Sequence, residues 1–284
     1  MWASEYWKDY ECIDTADGMK LERWGNVVLS RPDPQIIWKK PSDEAAWKKA
    51  DAVYNRSQTG GGSWDYKKSI PDRWVISYKD LKFNIKTMGF KHTGLFPEQA
   101  VNWDYMREKL KGRDNARVLN LFAYTGAATL AAASAGAEVC HVDASKGMTL
   151  WAKENAEVSG LREKPVRYIV DDCMKFVERE IRRGKKYDAI IMDPPSYGRG
   201  PSGEVWKLEE CLWDFVGRCA LLLSDDPIFF IINSYTTGLA PTVMKNILTL
   251  TLPKGRVEAD EIGLRVTKSG IYLPCGATAR WERT

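Results

Sequence analysis

Apolar and polar positions fall into blocks along residues 118–143. Val118 to Phe122 is a short, mostly apolar run, the pattern of a strand covered on both faces in a parallel sheet. Ala123-Tyr124-Thr125-Gly126 interrupts it. Ala127 to Ala135 is an alanine-rich helix, with Gly136 just past its C-terminal cap. Glu138 to Asp143 is a second strand, and it ends in a carboxylate. Strand, glycine turn, small-faced helix, strand and acid together predict one nucleotide-binding half of a doubly wound α/β sheet.

The blocks continue. Val166 to Cys173 predicts a third strand, ending at Asp171-Asp172, and Met174 to Arg183 a helix closed by Gly184. Tyr187 to Met192 is a fourth strand that runs into Asp193-Pro194-Pro195-Ser196-Tyr197-Gly198. Helices are expected at Trp103 to Leu110, Gly147 to Val158, Val205 to Leu223 and Pro241 to Leu250. Pro227 to Ile232 is a fifth strand leading to Asn233-Ser234-Tyr235. Val257 to Ile262 and Ala277 to Trp281 are the last two. Gly198 to Gly203 is expected to be a mobile, basic-tipped loop placed to close over a substrate.

Residues 1–88 follow a different pattern and predict a small β-rich domain. Tyr6-Trp7, Lys20 to Trp24, Asn26 to Ser30 and Gln35 to Trp38 are strand-like pieces between turn residues. Glu44 to Val53 is a candidate helix, and Thr59 to Ser63 a flexible loop. Arg73 to Tyr78 and Leu81 to Lys86 predict a hairpin turning at Lys79-Asp80. Basic and aromatic residues interleave here, among them Trp24, Trp38, Lys39, Trp47, Lys48, Trp64, Lys67 and Trp74. That composition suits an RNA-facing platform. It suits equally a small tryptophan core with solvated lysines.

Composition changes this picture little. The chain has 284 residues, of which 44% are hydrophobic and 28% charged, which fits an ordinary globular protein of one large and one small domain. A net charge of +4 permits a nucleic-acid partner without requiring one. Six cysteines include no Cys-x-x-Cys pair, and two histidines leave no metal-ligand cluster. With no apolar signal region and no run of membrane-spanning length, a cytoplasmic location is expected.

Three successive strands carry an acid at the edge where open α/β sheets bind ligands: Asp143, Asp172 and Asp193. Acids at those points suit a ribose, an adenine amine and the reacting region in turn. The turn at 123–126 holds one glycine rather than three, which favours a nucleoside cofactor without phosphates over a dinucleotide. In Asp193-Pro194-Pro195 the prolines end the strand and stiffen the loop. Such a loop can grip a planar nitrogen group and stack a base on Tyr197.

These motifs, with His92 to Gln99, Leu119 to Gly126, His141 to Ser145 and Trp151 to Asn155, resemble the class I S-adenosylmethionine-dependent methyltransferases. Within that class they are similar to the group holding the large-subunit ribosomal RNA methyltransferases of the I and K/L types. The resemblance covers roughly residues 80–284. It implies a seven-stranded Rossmann-like methyltransferase sheet, mostly parallel with the last strand antiparallel, over residues 89–284. It implies S-adenosyl-L-methionine as cofactor and RNA, ribosomal in that group, as partner. Carried over by position, the cofactor contacts are Phe96, Gln99, Phe122, Ala123, Tyr124, Thr125, Gly126, Asp143, Ala144, Ser145, Asn155, Asp172 and Cys173. The catalytic set is Asp193, Pro194, Pro195 and Tyr197.

One departure bears on the chemistry. Members that methylate carbon 5 of a pyrimidine place a cysteine after strand 4 or 5. Pro194-Pro195-Ser196-Tyr197 and Asn233-Ser234-Tyr235 contain none, so transfer to a base nitrogen is expected. The rival readings are a methyltransferase for tRNA, DNA or protein, a nicotinamide dehydrogenase, and a non-catalytic RNA-binding module.

Overall fold

A computed structural model describes residues 1–57, 61–113, 115–199 and 205–284. The chain forms two compact units. One is Met1–Val101 with Gly263–Cys275, the other Asn102–Ile262 with Gly276–Thr284. The boundary therefore lies beyond the expected residue 88, and a late segment joins the N-terminal unit. The reason is local pairing: the N–H groups of Thr267 and Lys268 donate to the carbonyls of Cys12 and Ile13.

The N-terminal unit holds β1 (Trp2–Ala3), β2 (Tyr10–Ala16), β3 (Met19–Trp24), β4 (Val27–Pro32), α1 (Glu44–Trp47), β5 (Ala52–Arg56), β6 (Gly62–Tyr66), β7 (Trp74–Tyr78) and β8 (Leu81–Ile85). β2 to β6 form one sheet in sequence order, antiparallel except where β4 meets β5. β7 and β8 form the expected hairpin, with Lys79 at φ 53° in its turn. Tyr6-Trp7 and Gln35 to Trp38 are not strands, and β2 was not foreseen. Its polar Asp14 is wholly buried, taking N–H bonds from Thr15, Ser42, Asp43 and Trp47 at 2.8–3.0 Å. The expected helix from Glu44 stops at Trp47, because Ala52 and Val53 pair in parallel with Leu29 and Ser30. Residues 59–60 of the expected flexible loop lie outside the described residues, and Gly62 and Ser63 belong to β6.

Six of this unit's seven tryptophans are half-buried. Trp24 is completely buried, and the indole N–H groups of Trp38, Trp64 and Trp74 donate to backbone carbonyls at 2.8–2.9 Å. Beneath them Arg31 grips Glu22 with two bonds of 2.6 and 2.8 Å, and Tyr10 donates to the same carboxylate at 2.7 Å. Burial pushes the Glu22 carboxyl up, but Arg31 and Lys20 beside it outweigh burial and hold it at about 2. A buried charge is tolerated only when paired and hydrogen-bonded.

The second unit begins within α2 (Ala100–Leu110) and continues with β9 (Arg117–Leu121), α3 (Ala127–Ser134), β10 (Glu138–Asp143), α4 (Lys146–Val158), β11 (Val166–Val170), α5 (Cys173–Arg182), β12 (Ala189–Met192), β13 (Tyr197–Arg199), β14 (Val205–Lys207), α6 (Leu208–Ala220), β15 (Phe229–Ser234), α7 (Pro241–Thr251), β16 (Gly255–Arg265) and β17 (Tyr272–Arg283). Within this unit the large sheet runs β11-β10-β9-β12-β15-β17-β16. The pairs from β11 to β15 are parallel, and β17 lies antiparallel to β15. After β9 the chain builds β10 and β11 on one side, then crosses back to β12 on the other. That reversal is a switch point, and it opens a crevice at the C-terminal ends of β9 and β12.

β12 and β15 are buried at every residue, as in a sheet covered on both faces. On one face Leu119, Leu121, Ile190, Met192, Phe230 and Ile232 pack with Leu212, Phe215 and Val216 of α6 and Met244 and Leu248 of α7. The expected helix over Val205 to Leu223 is shorter than foreseen. Val205–Lys207 pairs with Tyr197–Arg199 as a hairpin, and the helix starts at Leu208. Residues 200–203 of the expected mobile loop lie outside the described residues.

Arg31→Met strands a buried carboxylate and is expected to cost about 3–5 kcal/mol, whereas Arg31→Met with Glu22→Leu recovers most of it. Urea unfolding followed by tryptophan fluorescence checks both. Equal losses in the single and double variants would contradict the pairing.

Candidate active site

At the crevice, β9 ends at Leu121 and the backbone turns back sharply. Phe122, Tyr124 and Gly126 take φ values of 55°, 52° and 84° within five residues. Two of these are not glycine, so the turn carries strain that its surroundings must hold. The Asp143 carboxylate does so from the end of β10. One oxygen accepts from Tyr124 N–H at 2.8 Å and the other from Ser145 N–H at 2.8 Å. Burial pushes the Asp143 carboxyl up, and the two backbone bonds oppose that. Each oxygen keeps a lone pair, and the residue is only half buried.

Asn155 of α4 is fully buried and donates to the Thr125 carbonyl at 2.9 Å. Gly126 caps α3, and a Cβ added there would lie 2.7 Å from the Ala152 Cβ. Two helices thus close on the turn because both present small residues. Beneath it His141 is buried, with Nδ1 2.9 Å from the Thr129 hydroxyl. Burial, and then the Lys153 charge, pushes its pKa down to about 3.

At the end of β11, Asp171 pairs with Arg179. Asp172 caps α5, accepting from Lys175 N–H at 2.9 Å. Cys173 is buried against the turn, its sulfur accepting from Phe122 N–H at 3.3 Å. Burial pushes its thiol well up. Ala144 sits between Asp143 and Ser145, the N-cap of α4.

Past β12, Asp193 is half buried, Pro194 buried, Pro195 and Ser196 exposed, and the Tyr197 ring 51% exposed. Two groups absent from the sequence reading fix this loop. Trp206 of β14 donates its indole N–H to the Pro195 carbonyl at 2.6 Å. Its ring packs with Phe122 and Phe215, 5.7 and 5.6 Å between centroids. Thr236 donates to the Ser196 hydroxyl at 2.6 Å, tying this loop to the one after β15. Trp206 could have been found only by recognising the hairpin, since five undescribed residues separate its strands. Behind the β15 end, buried Asn102 donates to Asn233 at 2.9 Å and accepts from Arg280 at 2.8 Å.

The second unit therefore gathers Phe122 to Gly126, Asp143 to Ser145, Asn155, Asp172, Cys173 and the Asp193 to Tyr197 loop at one edge of one sheet. Phe96 and Gln99 belong to the N-terminal unit, in the turn where Gln99 N–H donates to the Phe96 carbonyl at 3.1 Å. Among the described residues no group of His, Cys, Asp and Glu could hold a metal ion, and no helix is long and apolar enough to cross a membrane.

This edge, with its switch point, strained turn and acid-tipped strands, is where a class I nucleoside-cofactor enzyme binds its cofactor. The S-adenosylmethionine-dependent methyltransferase family model matches residues 54–210, more than half of the chain, and the chain belongs to that family. It is an enzyme that uses S-adenosylmethionine as methyl donor.

Among solved structures, a SAM-dependent methyltransferase from Agrobacterium tumefaciens is 36% identical. It covers 99% of this chain and 93% of its own, with a TM-score of 0.93. A methyltransferase from Streptococcus mutans, 18% identical over 98% of this chain and 76% of its own, shares the fold with a TM-score of 0.76. SMU.776, crystallised with S-adenosylhomocysteine, gives the same values.

Among curated relatives, the ribosomal RNA large subunit methyltransferase K/L of Shewanella loihica is 39% identical over 43% of this chain and 17% of its own. That of Magnetococcus marinus is 28% identical over 72% and 26%. The chain spans about a quarter or less of these relatives' lengths.

Gly126→Ala forces a side chain into left-handed backbone and against Ala152. It is expected to cost about 1–3 kcal/mol, and Ala152→Gly to return part of the loss. Thermal unfolding of the three variants checks this, and a Gly126→Ala protein as stable as wild type would contradict it. His141 is neutral when folded, but binds a proton near pH 6.5 when unfolded. The unfolded state thus holds the extra proton between pH 6.5 and 3, so stability falls as pH drops through that window. His141→Gln should flatten the decline by up to about 1.4 kcal/mol per pH unit. Parallel pH profiles would contradict it.

Proposed function

We propose that this enzyme methylates a base nitrogen of RNA, with large-subunit ribosomal RNA as the substrate. The observation that carries the nitrogen reading is the pair of acceptor-side loops. Asp193 to Tyr197 and Asn233 to Tyr235 are latched by the Thr236–Ser196 bond and contain no cysteine. Cys173, just past the end of β11, is buried, faces the Phe122 amide and is held protonated by burial. Carbon-5 methylation needs a thiolate, which such a site does not supply. The names of the K/L relatives support RNA as the acceptor. Six unpaired cysteines suit a reducing cytoplasm.

The residues fit the cofactor. Asp143 keeps lone pairs free for a ribose diol while its bonds hold the turn. Asp172 would take the adenine amine, between Cys173 and Ala144-Ser145. Phe122 to Gly126 would line the methionine end, with Asn155 fixing Thr125. The part given to Phe96 and Gln99 rests on the family resemblance. When bound, the sulfonium supplies an already activated methyl group, so the protein's work is to position an acceptor. Asp193 and the Pro194 carbonyl would accept hydrogen bonds from the acceptor nitrogen, and Asp193 would take the proton it loses. The exposed Tyr197 ring would stack on an unstacked base. Trp206 holds the Pro195 carbonyl and so keeps that loop in one geometry.

The test is transfer of labelled methyl groups to unmodified ribosomal RNA, tRNA, DNA and protein, followed by nucleoside analysis. Label in a nitrogen-methylated nucleoside of large-subunit RNA is expected. Label in another acceptor, or on pyrimidine carbon 5, would overturn the reading. Asp193→Asn is expected to lower transfer by roughly 10²- to 10⁴-fold, with S-adenosylhomocysteine affinity within a few-fold of wild type. Full activity would remove Asp193 from its role.

A further inference from the structure

A second concave site lies at the opposite, N-terminal edge of the same sheet. It is a cavity of about 500 Å³, and its cations arrive from three separate segments. Arg117 begins β9, Lys164 and Arg167 flank the start of β11, and Lys185 and Lys186 follow α5. The last two belong to Arg182-Arg183-Gly184-Lys185-Lys186, four cations in five residues, all exposed. Two carboxylates share the cavity, Glu138 and Glu180. Glu180 is buried and already engaged, accepting from Tyr187 at 2.7 Å and Arg183 at 3.2 Å. Arg117 is paired with Asp188, and Lys186 donates to the Leu221 carbonyl. Lys164 and Lys185 are exposed, and among the described residues neither has a carboxylate partner.

Cations in the last turn of a helix complement its dipole, which accounts for Arg179 and Arg182. It does not account for Lys164 and Arg167 on another strand, nor for Lys185 beyond the helix. Five cations converging on a concavity with two carboxylates, Lys164 and Lys185 among them without a carboxylate partner among the described residues, are the footprint of a phosphate-bearing ligand.

We propose that this cavity is a phosphate-backbone groove that holds the RNA substrate away from the reacting edge. This rests on the RNA reading above. The parallel strands separate the two edges by roughly 15–20 Å at about 3.3 Å per residue. An RNA of a few dozen nucleotides can therefore reach both. Contacts of this kind fix register and add affinity without reading sequence.

The test uses the full chain and its Lys164→Gln/Lys185→Gln variant. Binding of an RNA hairpin of about 30 nucleotides is followed over a salt series, because backbone contacts need no particular sequence. The variant is expected to bind roughly tenfold more weakly at low salt. Its slope of log affinity against log salt should fall by about 1.8, or about 0.9 per cation lost from the duplex stem. S-adenosylhomocysteine binding should be unchanged. Equal affinity and slope in both proteins would overturn the groove. Saturable pyrophosphate binding lost in the variant, with RNA binding unaltered, would also overturn it, in favour of a free-anion site. Wild type that binds S-adenosylhomocysteine but no RNA would fail the substrate reading itself, and the groove with it.

Discussion

The carboxylate of Asp143 stands at the end of β10 and reaches two backbone N–H groups, those of Tyr124 and Ser145. The first belongs to the left-handed turn after β9, the second to the cap that starts α4. Without such a partner, a turn with positive φ at Phe122 and Tyr124 would relax. Asn155 and the small pair Gly126 and Ala152 complete the hold from α4. The edge of the sheet is therefore shaped before any ligand arrives, with lone pairs of the same carboxylate left to face it.

The acceptor side is held differently. Prolines end β12, and the loop beyond is tied by Trp206 to a hairpin and by Thr236 to the loop after β15. Each bond restrains a backbone or hydroxyl group and leaves Asp193 and Tyr197 at the surface of the crevice. This division, a rigid cofactor turn and a laced acceptor loop, suits a reaction whose electrophile comes ready-made.

Much of this was legible in the sequence where local pattern decides structure. The apolar run into Leu121, the alanine helix and Gly136 (φ 95°) mark β9 and α3 without reference to the rest of the chain. Asp143, Asp172 and Asp193 could be placed at one edge because each follows a strand-like run. What could not be read depends on distant partners. Asp14 is polar and yet buried, since its bonds come from residues 15, 42, 43 and 47. The Glu44 helix was overruled by the parallel pairing of Ala52 with Leu29. Trp206 looked like the start of a helix until the Tyr197–Arg199 hairpin claimed it. The interleaved tryptophans and lysines were compatible with two roles, and the indole bonds inside the N-terminal unit fit the core one.

On the reading proposed above, Asp143 both builds the turn and holds the cofactor's ribose. Calorimetric titration of the full chain and of Asp143→Asn with S-adenosylhomocysteine, and then with NAD, tests it most directly. Saturable binding of S-adenosylhomocysteine to wild type, affinity at least tenfold weaker in the variant, and no binding of NAD are expected. Equal affinity in the two proteins, or saturable binding of NAD, would contradict it.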